Sequence, residues 1–438
     1  MAKVSEHIKS FGVVAVSAGL VLALLLGSVV PAKAAEEKVV KIGLIAAWTG
    51  ALATETVYLH SGEIDYVRYL NEQGGINGIR VETLWEDFAA MTPKAISAYK
   101  RLVTSGAMLV TCPLESAVAS VLPRMIRDEI PCIYNPGAIG PTLISKPQWV
   151  LGSGPEGENV LCLANAEWIK KNWTEERLPR IGFFHADEPI HNAALDTAIP
   201  YAVGRGLMEF VGRERVPIIG VIDMTVEWLR LAAKKPDWVI VSHYGATMVL
   251  AVKDAARLEL QEKGIKFIAD IATLEESILR IVGGAAEGWY RETQMPTVAD
   301  VGRPDCPMVK TMLEVARRYR GFTPAAEAGA TGSIVGIAYA KGWLSSMVAT
   351  EVLRMAIEEV GFENLAGRAI RDALFSLKDF DSGLGPPITT SEDKPFYNDF
   401  YYFNHVEKGE LVRIGDWEKL PRAFHYVVTN GEVHTERL

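Results

Sequence analysis

The chain has little cysteine, and what it has is dispersed. Cys112, Cys132, Cys162 and Cys306 form no C-x-x-C pair, which excludes a zinc knuckle, a thioredoxin-type redox site and a disulfide-framed scaffold. It also lacks any run of basic residues, and its formal net charge is −9. The positive footprint that grips phosphate is missing, so nucleic acid is excluded as a partner. The nucleophile elbow G-x-S-x-G, the zinc motif H-E-x-x-H, a P-loop, and a G-x-G-x-x-G after the first apolar strand are absent as well. Those absences remove the common sequence marks of catalysis, and no metal or cofactor is expected.

What is present is a globular composition, with 49% hydrophobic and 23% charged residues, spread over 438 positions. That length exceeds what one hydrophobic core organises, so two domains are expected. The first 34 residues stand apart. Lys3 and Lys9 precede an apolar stretch from Phe11 to Val30, and Ala32-Lys33-Ala34 supplies a small-x-small cleavage pattern. This reads as a signal peptide over residues 1–34, with the remainder exported to the periplasm. The length of the stretch is also compatible with a retained anchor. Beyond it, no uninterrupted apolar run is long enough to cross a bilayer. Export would permit a bridge between Cys112 and Cys132, which fall in consecutive strands; buried free thiols are the other reading.

Strands and helices then alternate. Val39–Ala46, Ile79–Trp85, Met108–Thr111 and Ile130–Tyr134 read as strands. Val57, Ile64 and Val67 mark one helix face, Thr92-Pro93 a capped helix start, and Val118–Ile126 a third helix. Such alternation forces parallel pairing, because each crossover returns to the same end of the sheet. The pattern restarts near Arg180, with strands at Ile181–Phe184, Val216–Ile222, Trp238–Val241 and Lys266–Ile268. Helices are expected over Met308–Arg320 and Ile334–Glu359, and strands at Phe396–Phe403 and Gly409–Ile414, paired antiparallel at a sheet edge. The fold class is α/β, with two doubly wound, Rossmann-like lobes. In such sheets ligands sit at the carboxyl ends of the strands. The loops to inspect hold Trp48, then Glu115 and Ser116, then Gly137, Ala138 and Ile139. In the second half they hold His185, His191 and His243 beside Asp187 and Glu188, then Tyr244.

Several of these segments resemble the leucine/isoleucine/valine-binding family of type I periplasmic solute-binding proteins. The similar stretches are Lys41-Ile42-Gly43-Leu44-Ile45-Ala46-Ala47-Trp48-Thr49-Gly50, Asn71-Glu72-Gln73-Gly74-Gly75-Ile76-Asn77-Gly78, Glu86-Asp87, Asn135-Pro136-Gly137-Ala138 and Gly284-Ala285-Ala286-Glu287-Gly288. The resemblance implies two lobes joined by three hinge crossovers, with residues 35–152 and 295–395 forming lobe one and residues 153–294 and 396–438 forming lobe two.

It further implies which groups touch a ligand. Ser116 matches a serine that grips a carboxylate, although it would equally cap the helix that starts there. Gly137 and Ala138 match a loop that lends backbone atoms, and Tyr244 matches a tyrosine that closes over the ligand. Ile139 replaces a threonine. The carboxylate that would pair with an ammonium falls nearest Ile271, with Asp270 adjacent. Either Asp270 serves, or the ligand is an acid or amide without an amine. Trp48 is expected to wall the pocket and His185 to contact the ligand.

The function implied is that of a monomeric, non-catalytic binding component of an ABC transporter. It would deliver a branched-chain amino acid or a related small carboxylate or amide to the permease membrane subunits. An extracytoplasmic sensor of amides or aromatic acids is the alternative.

Overall fold

The computed structural model describes residues 37–270, 273–323 and 335–438; the leader, like Ile271, lies outside them. The first sheet begins with Val39–Ala46 (β1), in which Val40, Ile42 and Leu44 pack into one hydrophobic layer and Ile45 into another. A strand covered on both faces needs apolar residues at successive positions, hence its apolar sequence. Then come Ala53–Glu72 (α1), Arg80–Asp87 (β2), Thr92–Thr104 (α2), Leu109–Cys112 (β3), Glu115–Asp128 (α3), Cys132–Ile139 (β4) and Val150–Glu156 (β5). The five strands run parallel in the order β2-β1-β3-β4-β5.

A π-helical turn, Asn159–Ala164, leads to Asn165–Lys171 (α4) and the second run of elements. These are Arg180–Ala186 (β6), Pro189–Gly204 (α5), Glu209–Val216 (β7), Thr225–Ala232 (α6), Trp238–Ser242 (β8), Gly245–Arg257 (α7), Lys266–Ala269 (β9), Glu276–Val282 (α8) and Tyr290–Thr293 (β10). Met308–Arg320 (α9), Ile337–Val360 (α10) and Gly367–Leu374 (α11) follow. The chain then re-enters the second sheet with Phe400–Glu407 (β11) and Glu410–Lys419 (β12), and ends in a hairpin, Phe424–Thr429 (β13) and Glu432–Arg437 (β14). The second sheet has the order β12-β11-β10-β9-β8-β6-β7, with β11 and β12 added antiparallel at one edge.

Helix α10 returns to the first lobe and crosses α1 backbone to backbone. A Cβ at Gly62 would stand 2.1 Å from Tyr339 O, and one at Gly342 would stand 1.8 Å from Leu59 O. Only glycine permits that approach.

Several expectations are corrected. The strand expected at Val216–Ile222 ends at Val216. Pro217 and Gly220, with φ +82°, stop the ladder, and Ile219 and Ile222 stand exposed. The true strand, at the sheet edge, is half solvated and therefore too polar to read as one. Thr92 does not cap α2; it is the first helical residue, after Met91. All four cysteines are buried free thiols: Cys112 lies opposite Tyr134 and Cys132 opposite Val110.

The connections between sheets lie side by side. Gly152 N–H donates to Pro395 O at 2.8 Å, and Tyr397 N–H returns to Gly152 O at 3.2 Å. Asn398 N–H donates to Ser153 O at 3.0 Å, while its Nδ2 approaches Met295 Sδ at 3.7 Å. The C-terminal hairpin docks on the first connection. Arg422 pairs with Glu156 at 2.7 Å, and Tyr426 Oη donates to Glu158 Oε2 at 2.8 Å. Among the described residues no helix is long and apolar enough to cross a membrane.

Candidate functional site

Both sheets aim the carboxyl ends of their strands at a cavity of about 50 Å³. Lobe one contributes Leu52 just before α1 and Glu55, Thr56 and Leu59 from it, Leu114 and Glu115 where β3 leads into α3, and Tyr134, Gly137 and Ala138 from β4. Facing them from the second run of elements are Glu188, Ile190 and His191 at the start of α5, Tyr244 after β8, Asp270 after β9, and Glu275 before α8.

The lobes touch across this cavity. Gly245 N–H, at the head of α7, donates to Glu55 Oε1 at 2.9 Å. Lys341 on α10 forms a buried ion pair with Glu275 at 2.6 Å. One turn earlier on α10, Ile337 N–H donates to Glu276 Oε2 at 2.9 Å.

A hydrogen-bonded chain lines the lobe-two wall. Ser242 Oγ donates to Asp270 Oδ2, His191 Nε2 lies 2.7 Å from Ser242 Oγ, and Tyr244 Oη lies 2.9 Å from the same nitrogen. With the serine proton committed to Asp270, Nε2 must carry the hydrogen it shares with Ser242 and Tyr244. The tyrosine then keeps its own proton to donate elsewhere. Burial, reinforced by His185 and His243, holds His191 well below the usual imidazole range, so it is neutral at physiological pH. Its Nδ1 has no partner.

The acids behave oppositely. Burial, then the Glu275 carboxylate, pushes Glu55 up to about 8. Burial pushes Glu115 up to about 7 against a hydrogen bond from Thr142, with Glu188 adding to the rise. Glu188 is raised by burial and by Asp187. The Glu115 carboxylate packs against Gly140, where a Cβ would stand 2.2 Å from its Oε1 and make the side chain shift.

Of the residues singled out from sequence, Gly137, Ala138, Tyr244 and Asp270 meet at the cavity. The other four stand outside its lining. Trp48 packs against His60, with ring centroids 5.2 Å apart, and against Trp85. Ser116, second residue of α3, neither caps the helix nor faces the cavity; its Oγ lies 3.3 Å from Thr92 Oγ1. Ile139 is buried in the lobe-one core. His185 sits behind His191, its Nδ1 2.9 Å from Ala186 O.

Glu55 and Glu275 were not named from sequence, whereas Glu115, Glu188 and His191 were placed in the strand-end loops without an assigned contact. Leu52, Glu55, Thr56 and Leu59 follow the spacing of one helix face, so a carboxylate interrupting an apolar stripe was the available signal. Among the described residues no cluster of His, Cys, Asp and Glu is placed to hold a metal.

Comparison with known proteins agrees with this architecture. A profile described as periplasmic binding protein matches residues 39–410. The Leu/Ile/Val-binding protein BraC3 of Rhizobium johnstonii is 23% identical over 377 residues, covering 85% of this chain and 93% of that one. A branched-chain amino acid ABC transporter protein from Thermus thermophilus, solved with bound valine, superposes with a TM-score of 0.74 at 18% identity, covering 87% of this chain and 97% of that one. A fatty acid ABC transporter substrate-binding protein from Thermomonospora curvata gives 0.73 at 17% identity, covering 88% and 93%. At these identities the structures report a shared fold.

Proposed function

We propose, from the premise that this chain belongs to the periplasmic binding protein family, that it captures a small solute between its lobes outside the cytoplasmic membrane and presents it to the membrane subunits of an ABC transporter. Members of this family bind solutes and are not enzymes. The observation that carries the reading is the cavity itself, walled by both lobes at the carboxyl ends of their strands and backed by connections that run side by side at Gly152, Met295 and Asn398. Closure about those connections is a hinge motion that a few backbone positions absorb.

The lobes divide after residues 152, 294 and 395. Backbone atoms of Gly137 and Ala138, with the side chains of Tyr244 and Asp270, contact the solute. That solute is an amine or amide of about amino-acid size, since Tyr244 and Asp270 line the cavity. The leader delivers the body to the periplasm, where it acts as a monomer.

The test is a thermal-shift screen of the purified protein with amino acids, amides, amines and carboxylates, followed by small-angle scattering with the best hit. A ligand that binds only the folded state raises its melting temperature, and closure lowers the radius of gyration. A deletion strain should then lose uptake of that compound. Chemical conversion of the hit, or uptake unchanged in the deletion strain, would sink the reading.

A further inference from the structure

Five carboxylates line the cavity, and among the described residues no Lys or Arg side chain does. They fall into two groups. Glu55 and Glu275 act on each other, with Lys341 and Arg291 within electrostatic reach and Lys341 ion-paired to Glu275. Glu115, Glu188 and Asp270 gather around Tyr134 and Tyr244, both of which feel all three acids. The only charged side chain among the chief influences on Glu115 is another acid, Glu188. Glu115 is 2% exposed, it lines the cavity, and its Oε2 has no hydrogen-bond partner.

A buried carboxylate oxygen without a donor is costly, and two carboxylates without a cation between them cost more. Glu115 comes from lobe one and Glu188 from lobe two, so closing the lobes forces like charges together. A positive ligand reverses that cost.

We propose that the cleft selects an organic cation with no free carboxylate, its ammonium held between Glu115 and Glu188 and its hydrocarbon chain lying along Leu52, Leu59, Leu114 and Leu161. This deepens the solute-capture reading and rests on it. A carboxylate ligand would find five acids and, among the described residues, no cationic side chain on the wall, whereas a primary ammonium offers donors to Glu115 Oε2, which lacks one, and to Glu188. The raised positions of Glu55 and Glu115 agree with an acid-rich site awaiting a counter-charge. Bringing one in favours the ionised forms, so binding at pH 7 should release protons.

The experiment is titration calorimetry of the intact body with 1,4-diaminobutane, n-butylamine, leucine and 4-hydroxybenzoate, repeated in two buffers of different ionisation enthalpy. The amines should bind, with proton release, at least tenfold more tightly than leucine, and 4-hydroxybenzoate should not bind. Glu115→Gln and Glu188→Gln, which keep size and polarity, should each weaken amine binding by tenfold or more without lowering the melting temperature. Tighter binding of leucine or 4-hydroxybenzoate than of either amine would overturn the cation and leave solute capture standing. So would amine affinities unchanged to within twofold in both variants. Silence from all four probes, with no change in radius of gyration, would count against both readings.

Discussion

Gly245 N–H donates to Glu55 Oε1 at 2.9 Å, joining the first turn of a lobe-two helix to a lobe-one helix across the mouth of the cavity. Gly245 has φ +48°, a conformation that disfavours any side chain. A Cβ there would stand 2.5 Å from Ala51 O, so glycine at this position allows the two lobes to meet.

Gly245→Ala should therefore penalise the closed arrangement and spare the separate lobes. The strain of a left-handed alanine is about 1 kcal/mol, and displacing Ala51 adds to it. We expect ligand affinity to fall by about tenfold, equivalent to ~1.4 kcal/mol, with far-UV circular dichroism unchanged. Equal affinity in calorimetry would show that the lobes do not close on this contact.

The acids of the cleft give closure a pH dependence of defined sign. Glu55 stands at about 8 and Glu115 at about 7, both above the ordinary carboxyl range. A raised acid contributes stability that is full below its unfolded value and is lost as pH climbs through its folded value. Around Glu55 the acting groups are Glu275, Lys341, Arg291 and the Gly245 N–H; around Glu115 they are Glu188, Thr142 and the Ile190 backbone. Between pH 5 and pH 8 the ligand-free protein should shift from closed toward open, read as a rising radius of gyration in small-angle scattering. Glu55→Gln combined with Glu115→Gln should flatten that rise. A radius that falls with pH would contradict the assignment.

The ion pair between Lys341 and Glu275, at 2.6 Å, is 5% and 2% exposed in its two residues. Removing one partner of a buried pair leaves an uncompensated charge, at a cost of about 3–5 kcal/mol. Lys341→Met should lower stability by about 3 kcal/mol in denaturant unfolding. Lys341→Met with Glu275→Gln should recover more than half of that loss. A double variant no better than the single one would mean that the pair contributes by packing alone.

The repeated α/β pattern was legible because strands buried on both faces carry unbroken apolar runs, and β1 spans Val39–Ala46 just as its sequence suggests. The edge strand β7 was not, because Glu209 and Arg215 face solvent, with Arg213 and Glu214 half-buried between them, and conceal the strand, while the apolar residues just after it, Ile219 and Ile222, stand exposed. The site divides along similar lines. Gly137 and Ala138 close strand β4 and Tyr244 follows β8, at strand ends whose backbone course the fold itself determines. Ser116 and Glu115 are neighbours at a helix start, where successive side chains diverge by about 100°. One step in that register moves the cavity-facing role from a hydroxyl to a carboxylate, and with it the preferred sign of the ligand's charge. Sequence order alone could not decide that step, because it depends on where α3 begins.

The crossing of α1 and α10 offers a test of the frame that holds the site. Gly342 and Gly62 let Leu59 O and Tyr339 O approach the opposite helix more closely than any Cβ allows, since a Cβ added at either would stand only 1.8 or 2.1 Å from that oxygen. The atoms in the way are backbone, which has no rotamer to escape into, so Gly342→Ala must push the helices apart. Overpacking of this kind costs typically 1–3 kcal/mol. Helix α1 carries Glu55 and Leu59, and α10 carries Ala338 and Lys341, so the displacement reaches the cavity wall directly. We expect Gly342→Ala to lower the melting temperature by several degrees and also to weaken ligand binding. Gly204→Ala is the matched control, because Gly204 ends α5 with nothing within 4 Å of an added Cβ. Alanine is the better helix former by roughly 1 kcal/mol, so that variant should be neutral or slightly more stable. Gly342→Ala melting and binding like the parent would show that α1 and α10 have room to separate, and that the cavity is not held by their contact.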